Sequence, residues 1–112
     1  MNKPIDWRGS CLDDLRAFPE IARKRAGYEL RKLQRGELPD DWRPFPEVGP
    51  GVNEIRIDSL DGWFRVMYVA KFEEAIYVLH SFQKKARKTS RNDVEIAKAR
   101  YRAVAAERKG FK

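Results

Sequence analysis

Hydrophobic positions change their period along the chain. Leu12, Leu15 and Phe18, then Ala22, Ala26, Leu30 and Leu33, recur every three or four residues, which places them on one face of a helix. Ser10, followed three residues later by Asp13, predicts a cap and an acidic first turn for a first helix. Pro19 suits the opening turn of a second, where its missing N–H goes unused, and Gly36 marks the end. The opposite face, with Arg23, Lys24, Arg31 and Lys32, is wet and basic. Upstream, Ile5 to Trp7 reads as a short edge strand ended by Gly9.

From residue 37 to 51 the chain holds Pro39, Pro44, Pro46 and Pro50 with Gly49 and Gly51. Neither a regular helix nor a central strand fits there, so an ordered loop pinned by Trp42 and Phe45 is predicted. Three β-rich runs follow, at 52–57, 63–70 and 75–82, the first two joined through the turn pair Asp61-Gly62. They predict an antiparallel meander. In the last two runs both alternating sets are apolar, Phe64, Val66 and Tyr68 beside Met67 and Val69, as expected of central strands covered on both faces, with the helices as one cover. Asn92 with Glu95 resembles a capping box, and Ile96, Ala97, Tyr101, Val104 and Ala105 form an amphipathic stripe to about Arg108. The predicted order is β-α-α-β-β-β-α, an α+β domain with a small antiparallel sheet and helices packed on it, spanning residues 1–112 as one unit.

Charge changes the picture. The chain of 112 residues carries 24 Lys and Arg against 17 Asp and Glu, a net +7, which favours an anionic partner, most often RNA or DNA. No apolar run approaches the ~18 residues of a membrane span, and the first ten residues lack a signal-peptide core, so the expectation is a cytoplasmic chain without a membrane partner. With one cysteine, Cys11, and one histidine there is neither a disulfide nor a zinc constellation, and no metal is expected. No phosphate loop, dinucleotide fingerprint or HExxH helix is present, and Gly49-Pro50-Gly51 is a turn signal, so no cofactor is expected either. Three Trp, four Tyr and six Phe supply ample core volume for so short a chain.

The candidate chemistry concentrates where the last strand ends. Lys84, Lys85, Arg87 and Lys88 place four cations within five positions, suited to phosphate contacts or to a solvated basic linker. Arg56 and Arg65 lie inside strands between apolar neighbours. If those strands pair, the two project toward one phosphodiester; the alternatives are an exposed sheet face or, for Arg56, pairing with Glu54 or Asp58. His80 has the only side chain with an ordinary pKa near neutrality, yet it sits in the apolar alternation Ile76, Val78, His80, Phe82, where an imidazole is more often a packed, hydrogen-bonded core residue than a catalyst. Tyr68 and Tyr77 suit either base stacking or strand packing. RNA cleavage needs no metal, because the 2′-hydroxyl is a built-in nucleophile that cations and a proton donor can serve.

Taken together, the run from Gly51 to Ile57, Phe64-Arg65-Val66-Met67-Tyr68-Val69, and Val78-Leu79-His80-Ser81-Phe82-Gln83-Lys84-Lys85 with Thr89 resembles the phage-related HigB-type branch of the RelE/ParE toxin superfamily. Asp14-Leu15-Arg16-Ala17-Phe18-Pro19 and Leu38-Pro39-Asp40-Asp41-Trp42 resemble the same branch, so the likeness covers nearly the whole chain. It implies a small antiparallel sheet with helices against one side. It also implies a type II toxin: a ribosome-dependent, metal-independent mRNA endoribonuclease that contacts rRNA and is neutralised by a helix-turn-helix antitoxin. By position, Arg65 matches the strand arginine that contacts the scissile phosphate, and Lys84 or Lys85 the basic pair after the last strand. Arg56 matches a supporting phosphate ligand, with His80 or Tyr68 as proton-transfer or stacking candidates and Arg87 and Lys88 as RNA contacts. Some relatives carry a tyrosine or histidine near the basic loop, where this chain has Ala86-Arg87-Lys88, so the general base stays open. A ParE-like inhibitor of DNA gyrase and a non-catalytic nucleic-acid-binding prophage protein are the alternatives.

Overall fold

β-Branched and aromatic residues are densest between Val52 and Phe82, and there the chain builds its longest strands. The computed structural model describes residues 2–110. In chain order it contains β1 (Ile5–Trp7), α1 (Cys11–Arg16), α2 (Glu20–Gln34), β2 (Trp42–Pro44), β3 (Val52–Ser59), β4 (Gly62–Val69), β5 (Ile76–Lys84) and α3 (Arg91–Lys109). The strands form one five-stranded sheet in the order β1-β5-β4-β3-β2, an α+β architecture as predicted.

The sheet is mixed, not purely antiparallel. β1 runs parallel to β5, with Ile5 opposite Ile76, a pairing across more than seventy residues that no local pattern specifies. The expected loop at 37–51 contains β2, whose three residues pair with β3 at the sheet edge. Pro44 is tolerated because an edge strand need not donate on both sides. Ser59 faces Gly62, so the tight turn is Leu60-Asp61 and Gly62 opens β4. Its φ of 134° favours glycine, and the Gln83 amide, the end of a flexible side chain, stands 2.6 Å from where a Cβ would be.

Alternation sends the two sides of β3 and β4 to different cores. Ile55, Ile57, Phe64, Val66 and Tyr68 pack under α1 and α2, against Leu15, Phe18, Ala26 and Leu30. Met67, Val69, Tyr77, Leu79 and Phe82 pack with Val94, Ala97 and Val104 of α3. Helices therefore cover both faces, whereas the family resemblance implied one. The cap of α3 is Ser90, two residues before the expected Asn92: Asp93 N–H donates to Ser90 Oγ at 3.1 Å and that hydroxyl donates to Asp93 Oδ2 at 2.7 Å. Tyr101 packs at the edge of the α3 core and its hydroxyl donates to the Pro50 carbonyl at 3.0 Å. At the helix end, Arg108 pairs with Glu74 and holds that carboxyl down to about 2. No helix among the described residues is long and apolar enough to cross a membrane.

One irregularity has large consequences. Met67 pairs with His80 but the next residue, Tyr68, pairs with Val78, so Leu79 is an extra residue in β5. This bulge breaks the alternation Ile76, Val78, His80, Phe82 into two halves. Ile76 and Val78 face α1 and α2, while His80, Phe82 and Lys84 are moved to the other side of the sheet.

A cationic face on the open side of the sheet

Cross-strand partners share a face. Arg65 stands opposite Arg56 on β3 and Phe82 on β5; Trp63 stands opposite Asp58 and Lys84; Met67 stands opposite Glu54 and His80, and Glu54 in turn opposite Arg43 of β2. All lie on the side away from α1 and α2. α3 packs on β5, and further along this side Arg43, Arg56 and Trp63 remain close to half exposed. The predicted juxtaposition of Arg56 and Arg65 is thus realised, and the bulge adds Lys84 to it.

The cations surround one buried carboxylate. Glu54 is fully buried, accepts from Arg43 Nε at 3.0 Å, and has Arg65 Nε 3.8 Å away. Its second oxygen and the Arg65 Nε have no hydrogen-bond partner. Arg65 Nη1 donates to Asp58 Oδ1 at 2.7 Å and to the Phe64 carbonyl at 2.9 Å. Arg56 Nε donates to Asp41 Oδ1 at 2.9 Å, so its partner comes from outside its own strand. Burial pushes the Lys84 ammonium below the usual lysine range, and Arg65, Arg43 and Arg56 push it the same way against Glu54. Four cations therefore share one field with three carboxylates, buried Glu54 and the more exposed Asp58 and Asp41, a surplus of one positive charge.

Lys85, Arg87 and Lys88 are exposed on the segment between β5 and α3. His80 and Tyr68 do not join the cations. His80 is buried, stacked on Phe82 at 4.7 Å, with Nε2 2.8 Å from Asp93 Oδ1; burial lowers its pKa although Asp93 opposes the shift. Through Nε2 it ties β5 to the first turn of α3, and its Nδ1 has no hydrogen-bond partner. Tyr68 is 1% exposed in the core under α1 and α2, on the opposite face from Arg65, and burial pushes its hydroxyl up to about 12. A stacking or phosphate contact from Tyr68 is ruled out by that placement. Tyr77 belongs to the α3 core and donates to Glu74 at 2.8 Å.

Sequence reasoning passed over Arg43, Glu54 as a shared anion, and Trp63. Arg43 was hidden in a proline-rich segment that gave no strand signal. Trp63 was findable, because it is two residues from Arg65 on a recognised strand and so shares its face.

A comparison with protein families matches residues 13–102, the greater part of the chain, to the family described as Phage derived protein Gp49-like (DUF891). A comparison with curated protein sequences gives no match.

Proposed function

The chain belongs to the Gp49-like family of phage-derived proteins, a RelE/Gp49-type toxin family of toxin–antitoxin pairs, and from that premise we propose that it is a HigB-like, ribosome-dependent mRNA endoribonuclease working as one toxin domain in the cytoplasm. The observation that carries this is the cluster of Arg43, Arg56, Arg65 and Lys84 around buried Glu54 on an open sheet face. Its antitoxin would be the helix-turn-helix repressor that the family resemblance implies.

In the proposed reaction the mRNA 2′-hydroxyl attacks the adjacent phosphorus and the P–O5′ bond breaks. The 2′-hydroxyl loses its proton and the leaving oxygen gains one, giving a 2′,3′-cyclic phosphate and a 5′-hydroxyl end. Arg65, rigid on the middle of the sheet, neutralises the phosphorane, with Arg56 beside it. Lys84 protonates the leaving oxygen, for which its lowered pKa makes it a stronger acid than an exposed lysine. Lys85, Arg87 and Lys88 hold flanking phosphates.

The test is primer extension on an mRNA in a reconstituted translation reaction, with wild type, Arg65→Lys and Lys84→Met, and one lane lacking ribosomes. Ribosome-dependent cuts that both substitutions suppress are expected. Intact mRNA with undisturbed translation would overturn the nuclease function.

A further inference from the structure

Beside the cationic face, between β2, the basic segment and the first half of α3, lies a cleft of about 930 Å³. That is large enough for a nucleotide, since small-molecule sites run ~300–1,000 Å³. Five of its lining residues are cations, Arg43, Arg87, Lys88, Arg91 and Lys98, against two carboxylates, Glu47 and Glu95. Arg43 belongs to this cleft and to the cluster around Glu54, so the two sites are continuous.

Two further observations indicate what the cleft takes. Thr89 lines it, is only 7% exposed, and its hydroxyl has no hydrogen-bond partner. A buried hydroxyl left unpaired is destabilising, so the protein gains by giving it an acceptor. The second is α3, nineteen residues long, whose N-terminus opens at Arg91 in the wall of the cleft. Ser90 caps only the Asp93 and Val94 N–H groups, through its hydroxyl and its carbonyl. The preceding amides have no helical acceptor, and the helix dipole there favours an anion. An acceptor that carries negative charge, fits among arginines and continues from a site for a phosphodiester is another phosphate of the same strand.

We propose that this cleft is a second phosphate subsite for single-stranded RNA, in which Thr89 Oγ1, the α3 N-terminus and Arg91 bind the backbone phosphate that flanks the one held at Arg65. The proposal rests on the nuclease function above, and it adds residues that the reaction itself does not use. The subsite orients the strand before cleavage and contributes binding, not chemistry.

The test measures binding of a fluorescently labelled, 2′-O-methylated RNA hexamer, which cannot be cut, to the full chain and to Thr89→Val, Arg91→Ala and Arg65→Lys. Thr89→Val keeps the shape and removes an unpaired buried hydroxyl, so it is expected to raise the melting temperature slightly while weakening hexamer binding about fivefold. Arg91→Ala is expected to weaken it by a similar factor and to reduce the slope of log affinity against log salt by about one. Unchanged hexamer affinity in both variants overturns the subsite, as does loss of affinity for inorganic phosphate alone with the hexamer unaffected, or a fall in the melting temperature of Thr89→Val that accounts for its weaker binding. Loss in these two variants with mRNA still intact on ribosomes supports the subsite and removes the nuclease function. Loss only in Arg65→Lys overturns the subsite and leaves the nuclease function standing.

Discussion

Arg56 and Arg65 face each other directly across β3 and β4, yet their guanidiniums are drawn to different carboxylates, Arg56 to Asp41 at 2.9 Å and Arg65 to Asp58 at 2.7 Å. Like charges in that position oppose strand pairing. The two aspartates and Glu54 offset the repulsion without burying either cation behind a full set of partners. On the proposed function, a phosphate reaching them exchanges ion pairs whose aspartates are about half exposed for a stronger one.

Glu54 is the keystone of that balance. Glu54→Gln keeps the shape but leaves Arg43, Arg65 and Lys84 without their shared buried anion. Urea denaturation is expected to show a loss of about 3 kcal/mol, partly restored by added phosphate or sulfate. No loss of stability would mean that the buried charge is not compensating the cations.

Arg65 contributes to stability as well as to the proposed phosphate contact, because it is 5% exposed and ion-paired. An exposed sheet face, the alternative for this residue, is therefore not its environment. Arg65→Ala is expected to cost about 2–4 kcal/mol as well as cleavage. Arg65→Lys retains charge and loses the planar fork, so it should separate the two, with most of the stability kept and cleavage reduced.

Lys84 behaves oppositely. Its pKa lies below the unfolded value, so the folded state binds the proton less well and stability rises with pH between the folded pKa and about 10.5. At pH 7 the charged side chain is a net cost. Lys84→Met is expected to leave the melting temperature unchanged or higher while cleavage falls about 100-fold or more. A matching fall in stability would mark Lys84 as structural.

For His80 the folded pKa is lowered by burial, so the unfolded chain binds more protons below about 6.5. Stability contributed by the neutral ring is present above that value and lost as pH falls toward the folded pKa. Melting temperatures between pH 7.5 and 5.5 should decline for wild type and flatten in His80→Gln, which keeps a donor toward Asp93. Cleavage by His80→Gln near pH 7.5 should stay within a few-fold of wild type, and a drop of 100-fold would return His80 to the reaction.

Trp63 shares the Arg65 face and is 45% exposed. On the proposed function its indole stacks on a base beside the scissile phosphate, worth about 1–3 kcal/mol. Trp63→Ala should therefore weaken RNA binding about tenfold while costing at most about 1 kcal/mol of stability, both readable by fluorescence titration and denaturation.

The helices, the three long strands and the edge strand at Ile5 were legible because each answers to a local rule: a period of 3.6 or 2, a glycine stop, a proline at a helix start. Arg56 and Arg65 were legible as candidates because long cations stand out among apolar strand residues, and Lys84 because it opens a run of cations after the last apolar strand residues. Tyr68 and His80 were not legible in the same way. Both lie on apolar strands, and only the packing of α1 and α2 on one face and of α3 on the other tells which aromatic is sealed in and which edge stays open.

What residue order alone decided was the element types other than β2, the basic surplus and which strands would be buried, all consequences of side-chain chemistry over a few neighbouring positions. Tertiary structure decided the rest. The parallel join of β1 to β5, the recruitment of Arg43 through β2, and above all the bulge at Leu79 depend on pairing between distant segments. A strand's period of two makes one extra residue enough to turn every later side chain to the other face, and that single shift puts Lys84 beside Arg65 instead of under the helices.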